Sequence, residues 1–258
     1  MSIKFILSLV IILVALYFMI KDIKLALITL GLAVISGVVN YLGDLASPYI
    51  SKTIFNTVVV GLGLVAFGVY VNGRLKEEEP DQEPSRLILL TEFFIETVDN
   101  LVGSTMGEQN MKFAPYIFAL FSFLIVSNIV GVIGLASPTS NYSVTLSLAL
   151  ITFVLTQYWA IKTSGIGGYL KGFFEPLPFL APLNIIGEIA NPVSLSFRLF
   201  GNVLSGGIIM GLIGSAFGTL TAAIAPALNI YFDLFSGILQ AFIFTTLTMV
   251  FVSGAIND

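Results

Sequence analysis

Arg198 is the residue whose placement most demands a chemical explanation. It lies within 185–213, an uncharged apolar stretch apart from Glu188 and Arg198, long enough to cross a bilayer. A guanidinium near the middle of a membrane helix costs about 2.5–3.5 kcal/mol on insertion scales. Arginine does not relieve that cost by losing its proton, because its pKa lies above about 12. A permanent charge at that depth implies a function. Around it runs a polar stripe: Asn184, Glu188, Asn191, Ser194, Arg198, Asn202 and Ser205. Their steps of three and four residues keep them on one face of a helix over about 182–213. In a membrane such a face must turn to the protein interior or to an aqueous cavity. Pro192 sits inside the stripe and leaves the carbonyl of Glu188 without its helical donor. That exposes an acceptor beside an acid, a place for water.

The last apolar segment, about 219–256, carries a second stripe: Asn229, Asp233, Ser236 and Gln240. Glu188 lies ten residues before Arg198, about 15 Å along a helix, and Asp233 lies seven before Gln240, about 10 Å. If Gln240 is level with Arg198 on an antiparallel helix, a carboxylate flanks the fixed cation on each side. Ions could approach from both faces and meet a positive barrier between. Such a device needs a mobile acidic carrier, which this chain does not supply. The blander reading is that the serines, asparagines and Gln240 hold helices together by hydrogen bonds, and that the glycines at 201, 207 and 211 serve close packing. For Arg198 the corresponding reading is snorkelling to an interface, which its depth opposes unless the helix tilts strongly.

Composition supplies the frame for these stripes. The 258 residues are 57% hydrophobic and 10% charged, against roughly 25% charged in soluble domains. An all-α, polytopic membrane protein follows. Histidine and cysteine are absent, which removes zinc sites, thiol chemistry, disulfides and histidine bases. No cofactor site and no nucleic-acid partner is expected. The net charge of −4 owes most to the acidic patch Glu77, Glu78, Glu79, Asp81 and Glu83.

Candidate spans are 3–20, 24–43, 53–72, 114–135 and 142–161, followed by the two longer segments 182–213 and 219–256. Each of these two exceeds a perpendicular crossing, so strong tilt or a bend is expected. The first run has no small-x-small cleavage site, so 3–43 reads as an additional N-terminal membrane hairpin (1–45) rather than a signal peptide. Residues 86–103 read as an amphipathic helix at the membrane interface, with Glu92, Glu96 and Asp99 on one face and Leu89, Phe93, Phe94 and Leu101 on the other; a soluble helix on the cytoplasmic face is the alternative. Seven spans with the N-terminus outside put eight of the loop lysines and arginines inside and only Lys4 and Lys52 outside. The positive-inside rule favours that orientation and a cytoplasmic C-terminus.

Asn191–Pro–Val–Ser–Leu–Ser–Phe–Arg–Leu–Phe–Gly–Asn202 and Leu239–Gln–Ala–Phe–Ile–Phe244 closely resemble subunit a of rotary F-type ATP synthases, the stator half of the membrane ion channel. Thr145–Leu–Ser–Leu–Ala149 and Lys162–Thr–Ser–Gly–Ile–Gly–Gly168 extend the likeness, which covers about 50–258. The resemblance implies that Arg198 faces the ion-binding carboxylates of a rotating c ring, with Asn202 and Gln240 beside it. Glu188 then belongs to a cytoplasmic half-channel, and Asn128 to an outer one. Asn191, Ser194 and Ser236 join the same polar path. Family members often carry an acid or histidine nine residues after the arginine. Here that position is Gly207, and Asp233, seven residues before the glutamine, takes the role of the outer carboxylate. The N-terminal hairpin departs from the usual pattern. The implied partners are the c ring, peripheral-stalk b subunits, lipid and a proton or sodium ion, in a bacterial plasma membrane. A buried-arginine secondary transporter for an anionic substrate is the alternative, but no internal repeat is visible and the acids flank the arginine rather than converge on it. A third reading is an assembly scaffold whose stripes only join helices. No Gly-x-x-x-x-Gly-Lys-Ser/Thr occurs, so ATP chemistry would lie on other subunits.

Overall fold

The computed structural model describes residues 51–77, 85–175, 177–218 and 221–257. The N-terminal hairpin expected over 1–45 lies outside the described residues. Within them the chain is helical, with no strand. Helix α1 covers Lys52–Glu77 and α2 Arg86–Met106. A tight 3-10 stretch, Glu108–Phe113, leads into α3, Ala114–Ile129. Helix α4 covers Tyr142–Gly172, α5 Ala181–Phe217, α6 Thr221–Asn229 and α7 Ser236–Asn257. Among the described residues, five helical segments are long and apolar enough to cross a membrane: Lys52–Glu77, Glu108–Ile129, Tyr142–Gly172, Pro178–Phe217 and Ala227–Ile256. The protein is a polytopic helical membrane protein.

Several boundaries depart from the sequence expectation. Span 114–135 ends as a helix at Ile129. Beyond it the backbone turns through Val132 N–H to Ile129 C=O, Gly134 N–H to Gly131 C=O and Leu135 N–H to Val130 C=O. Gly134 has φ of 81°, a left-handed conformation that glycine adopts without steric cost. Span 142–161 continues to Gly172, bending at Gly165, whose φ is 70°. The 37 residues of α5 continue through Pro192 and measure about 55 Å, against a hydrocarbon core of about 30 Å. The last segment does not form one regular helix. Between α6 and α7, residues Ile230–Phe235 wind as a π-helical turn that contains Asp233. Such turns widen a helix locally and re-aim its side chains, and they recur at functional sites.

The chain divides into two compact units. The first comprises the described residues of 51–60, 125–141 and 200–239. Its buried residues include the polar Asn56, Ser127, Asn128, Ser137 and Thr139. The second comprises the described residues of 61–124, 142–199 and 240–258. It has a conventional apolar core that includes Val98, Val102, Ile117, Leu124, Leu199, Phe244 and Met249. Helix α2 packs into this core by Ile88, Val98, Val102 and Met106, while Phe94 stacks on Phe121 at 5.6 Å and meets Phe118 edge-on at 5.3 Å. Leu89 and Phe93, expected with Phe94 on the apolar face of an interfacial helix, are exposed. The helix thus has one apolar stripe toward its neighbours and a second directed outward.

Candidate functional site

The second unit holds the Arg198 region. Along α5 the polar stripe separates into two groups. Asn184, Glu188 and Asn191 are half-buried and line a cavity of about 680 Å³, together with Gln157 and Tyr169 of α4 and with Pro192 itself. Glu188 and Pro192, whose ring removes the helical donor to the Glu188 carbonyl, both line this cavity. Gln157 Nε2 donates to Glu188 Oε2 at 2.9 Å, and the Tyr169 hydroxyl donates to Gln157 Oε1. Asn184 Nδ2 donates to the carbonyl of Phe173 at 2.8 Å and to that of Glu175 at 3.1 Å. This ties the start of α5 to the end of α4 and fixes the cavity wall. A polar, roomy chamber with a carboxylate, an amide and a phenol meets the requirements for water.

Ser194 and Arg198 take the other direction. Both are exposed, and Arg198 makes no hydrogen bond or ion pair among the described residues. Val193 and Phe197, its neighbours on the helix, are exposed at 40% and 54%. A bare guanidinium therefore emerges on an apolar surface. In lipid this is costly, and a carboxylate supplied from outside the chain would relieve it. Gln240 is 7% exposed, and its Nε2 has no partner among the described residues. An amide left so is unusual in a buried setting.

The first unit holds the other carboxylate. Asp233 projects from the π-helical turn onto Gly131: a Cβ added at Gly131 would lie 3.0 Å from the Asp233 carboxyl carbon and from Oδ2. Asp233 is half-buried and, like Arg198, without a hydrogen bond or ion pair among the described residues. Asn128 is deeply buried. It donates through Nδ2 to the Gly237 carbonyl at 2.9 Å and accepts from Thr139 Oγ1 at 2.8 Å. Ser137 extends the network to Thr139 at 2.8 Å and donates to the Ser127 carbonyl at 2.7 Å. Asn202 and Ser236 form a reciprocal pair: Ser236 Oγ donates to Asn202 Oδ1 at 2.8 Å, and Asn202 Nδ2 to the Ser236 carbonyl at 3.4 Å. Asn128, Asn202 and Ser236 are therefore committed to joining helices, while Asp233 keeps its carboxylate free.

The sequence reading did not single out Gln157, Tyr169, Ser137, Thr139 or Gly131. Gln157 was detectable, as a lone amide near the end of the apolar run 142–161. Thr139 and Gly131 carry no local signal, because their roles depend on partners far along the chain.

Comparison with known proteins places the chain in a family. A family model described as ATP synthase A chain matches residues 53–253. The "ATP synthase subunit a, sodium ion specific" of Propionigenium modestum is 40% identical over 185 residues, covering 64% of this chain and 63% of the relative, so the chain spans just under two thirds of that protein's length. The "ATP synthase subunit a" of Bacillus pumilus is 34% identical over 200 residues, covering 68% of this chain and 81% of the relative. That of Acidothermus cellulolyticus is 32% identical over 218 residues, covering 79% and 76%. With its match extending from before the polar network at Asn128 to beyond Gln240, the chain belongs to the ATP synthase A chain family.

Proposed function

We propose that this chain is the stator of a rotary ATP synthase membrane sector, passing ions to and from a c ring through two offset half-channels. The observation that carries this reading is Arg198, exposed on an apolar helix face with no anion among the described residues. An ion enters from outside near Asp233 and neutralises a ring carboxylate. The neutral site then turns through lipid. It arrives at the cytoplasmic chamber of Glu188, Gln157 and Tyr169 and releases its ion, and Arg198 attracts the carboxylate so formed. At 4 Å and an effective dielectric constant of about 20, two unit charges interact by roughly 4 kcal/mol. That favours release yet leaves the pair exchangeable as the next carboxylate arrives. The same positive charge opposes a direct leak.

Asn128, Asn202 and Ser236 hold the outer path in shape, Asn191 lines the Glu188 chamber of the cytoplasmic path, and Ser194 shares the exposed Arg198 face. The peripheral-stalk b subunits restrain the stator. The N-terminus lies outside and the C-terminus in the cytoplasm of a bacterial plasma membrane, by the distribution of lysine and arginine. The name of the Propionigenium relative makes sodium the ion to test first. ATP synthesis by the purified complex in liposomes, driven by a sodium gradient with a protonophore present, tests this: synthesis under those conditions supports sodium, and synthesis driven only by a proton gradient assigns protons. Failure of Arg198 substitutions to impair either would remove the stator reading.

A further inference from the structure

Lys112 and Lys162 lie outside the polar stripes and have no part in the ion path. They come from different helical segments of the second unit and meet over one ring. Lys112 Nζ is 4.3 Å and Lys162 Nζ 4.4 Å from the centroid of Trp159. Phe113 and Tyr158 complete the aromatic cluster, edge-on to Trp159 at 5.3 Å and 5.7 Å. Cation–π contact orients the two ammoniums, but neither has a carboxylate partner among the described residues. Two cations on one aromatic cluster, neither neutralised by a described carboxylate, favour an anion beside them.

Directly beside them is an apolar groove of about 460 Å³, lined by Tyr116, Leu150, Ile151, Val154, Leu155 and Tyr158. Tyr158 is four residues before Lys162 on α4, so that lysine shares a helix face with a wall of the groove, and Lys112, in the 3-10 stretch that leads into α3, stands four residues before Tyr116. Leu150, Val154 and Tyr158 continue that face along α4 and are exposed. From Lys162 to Leu150 the helix rises about 18 Å. Tryptophan, tyrosine and lysine together mark the level of the headgroups, with hydrocarbon beyond.

We propose that Lys112, Trp159 and Lys162 bind the phosphate headgroup of an anionic phospholipid, with one acyl chain lying in the groove from Tyr158 to Leu150. A zwitterionic lipid offers the same chain but carries a cationic group toward the lysines. The preference for the anionic headgroup is therefore electrostatic.

Trp159 is the only tryptophan in the chain, so its fluorescence reports this site alone. The purified full chain is reconstituted with phosphatidylglycerol or phosphatidylcholine carrying bromines on the upper acyl chain. Half-quenching is expected at about fivefold lower mole fraction of the brominated anionic lipid, the effect of about one lysine near an anionic surface. The preference should disappear in the Lys112→Gln/Lys162→Gln variant. It should survive in Lys171→Gln, whose side chain pairs with Glu175 at 3.5 Å instead. Equal quenching of the unaltered chain by both lipids, which needs no variant to fold, overturns the proposal. So does a preference retained by the double variant, which would reflect general surface charge, and so does the absence of quenching by either lipid, which would mean that another helix fills the groove.

Discussion

Gln157 holds Glu188 by a 2.9 Å hydrogen bond from its amide, while the Tyr169 hydroxyl donates to the amide oxygen of the same Gln157. The order of donors is forced: a carboxylate accepts only, so the amide must present its nitrogen to Glu188 and its oxygen to tyrosine. The Tyr169 phenol completes that chain by donating to the amide oxygen.

Replacing Gln157 by leucine removes that support while preserving side-chain bulk. A hydrogen bond to a charged group contributes about 1.5–3 kcal/mol, so ion exchange on the Glu188 side should slow roughly tenfold or more. Tyr169→Phe should have a smaller effect in the same direction, since Gln157 retains its contact to the acid. Passive ion uptake by vesicles carrying the membrane sector, compared with ATP synthesis by the whole complex, measures both. A Gln157→Leu variant with unchanged uptake would show that the amide does not assist the acid.

Gly131 makes room for the Asp233 carboxyl group. In Gly131→Ala the new Cβ would stand 3.0 Å from that group, so the aspartate must move. Ion entry from outside should slow as it does in Asp233→Asn, with helix content unchanged. Exchange assays on oriented vesicles, in which only one face is offered the ion, check this. Slowing confined to the opposite face would place Asp233 in the wrong half-channel.

Asn128 serves as a strut. Asn128→Ala leaves the Gly237 carbonyl and the Thr139 hydroxyl without the partners they have now. Hydrogen bonds between membrane helices average about 0.6 kcal/mol and reach about 1.7, so about 1–2 kcal/mol of stability should be lost. Gly237→Ala acts on the same contact from the other side, because its Cβ would lie 2.7 Å from Asn128 Cβ; overpacking of this kind costs about 1–3 kcal/mol. Denaturant titrations of the purified chain measure both. A stability change in Asn128→Ala below about 0.3 kcal/mol would leave Asn128 free for a direct role with the ion, in place of a structural one.

The helices were legible in the sequence because length and apolarity alone set them. Helix α5 was foreseen within a few residues at each end, and the missing N–H of Pro192 pointed to a place for water beside Glu188, where the cavity lies. The excess length of the last segment was legible, but its form was not: the π-helical turn at Ile230–Phe235 leaves the run of residue types unchanged. Periodicity placed Glu188 and Arg198 on one stripe, yet the structure puts the first in a chamber and exposes the second. Steps of three and four residues drift around a helix, so a long stripe faces more than one neighbour. Asn128 was legible as a polar residue in an apolar run, but its partners Gly237 and Thr139 depend on tertiary packing.

The account turns on Arg198 meeting a charge that comes from another subunit. Arg198→Ala in the whole complex, reconstituted in liposomes, tests this most directly. The complex should assemble with its normal subunits, and ATP synthesis driven by an ion gradient should fall to background. Normal coupled synthesis by an assembled Arg198→Ala complex would contradict the stator role, and a failure of the variant complex to assemble would assign the arginine to holding the complex together.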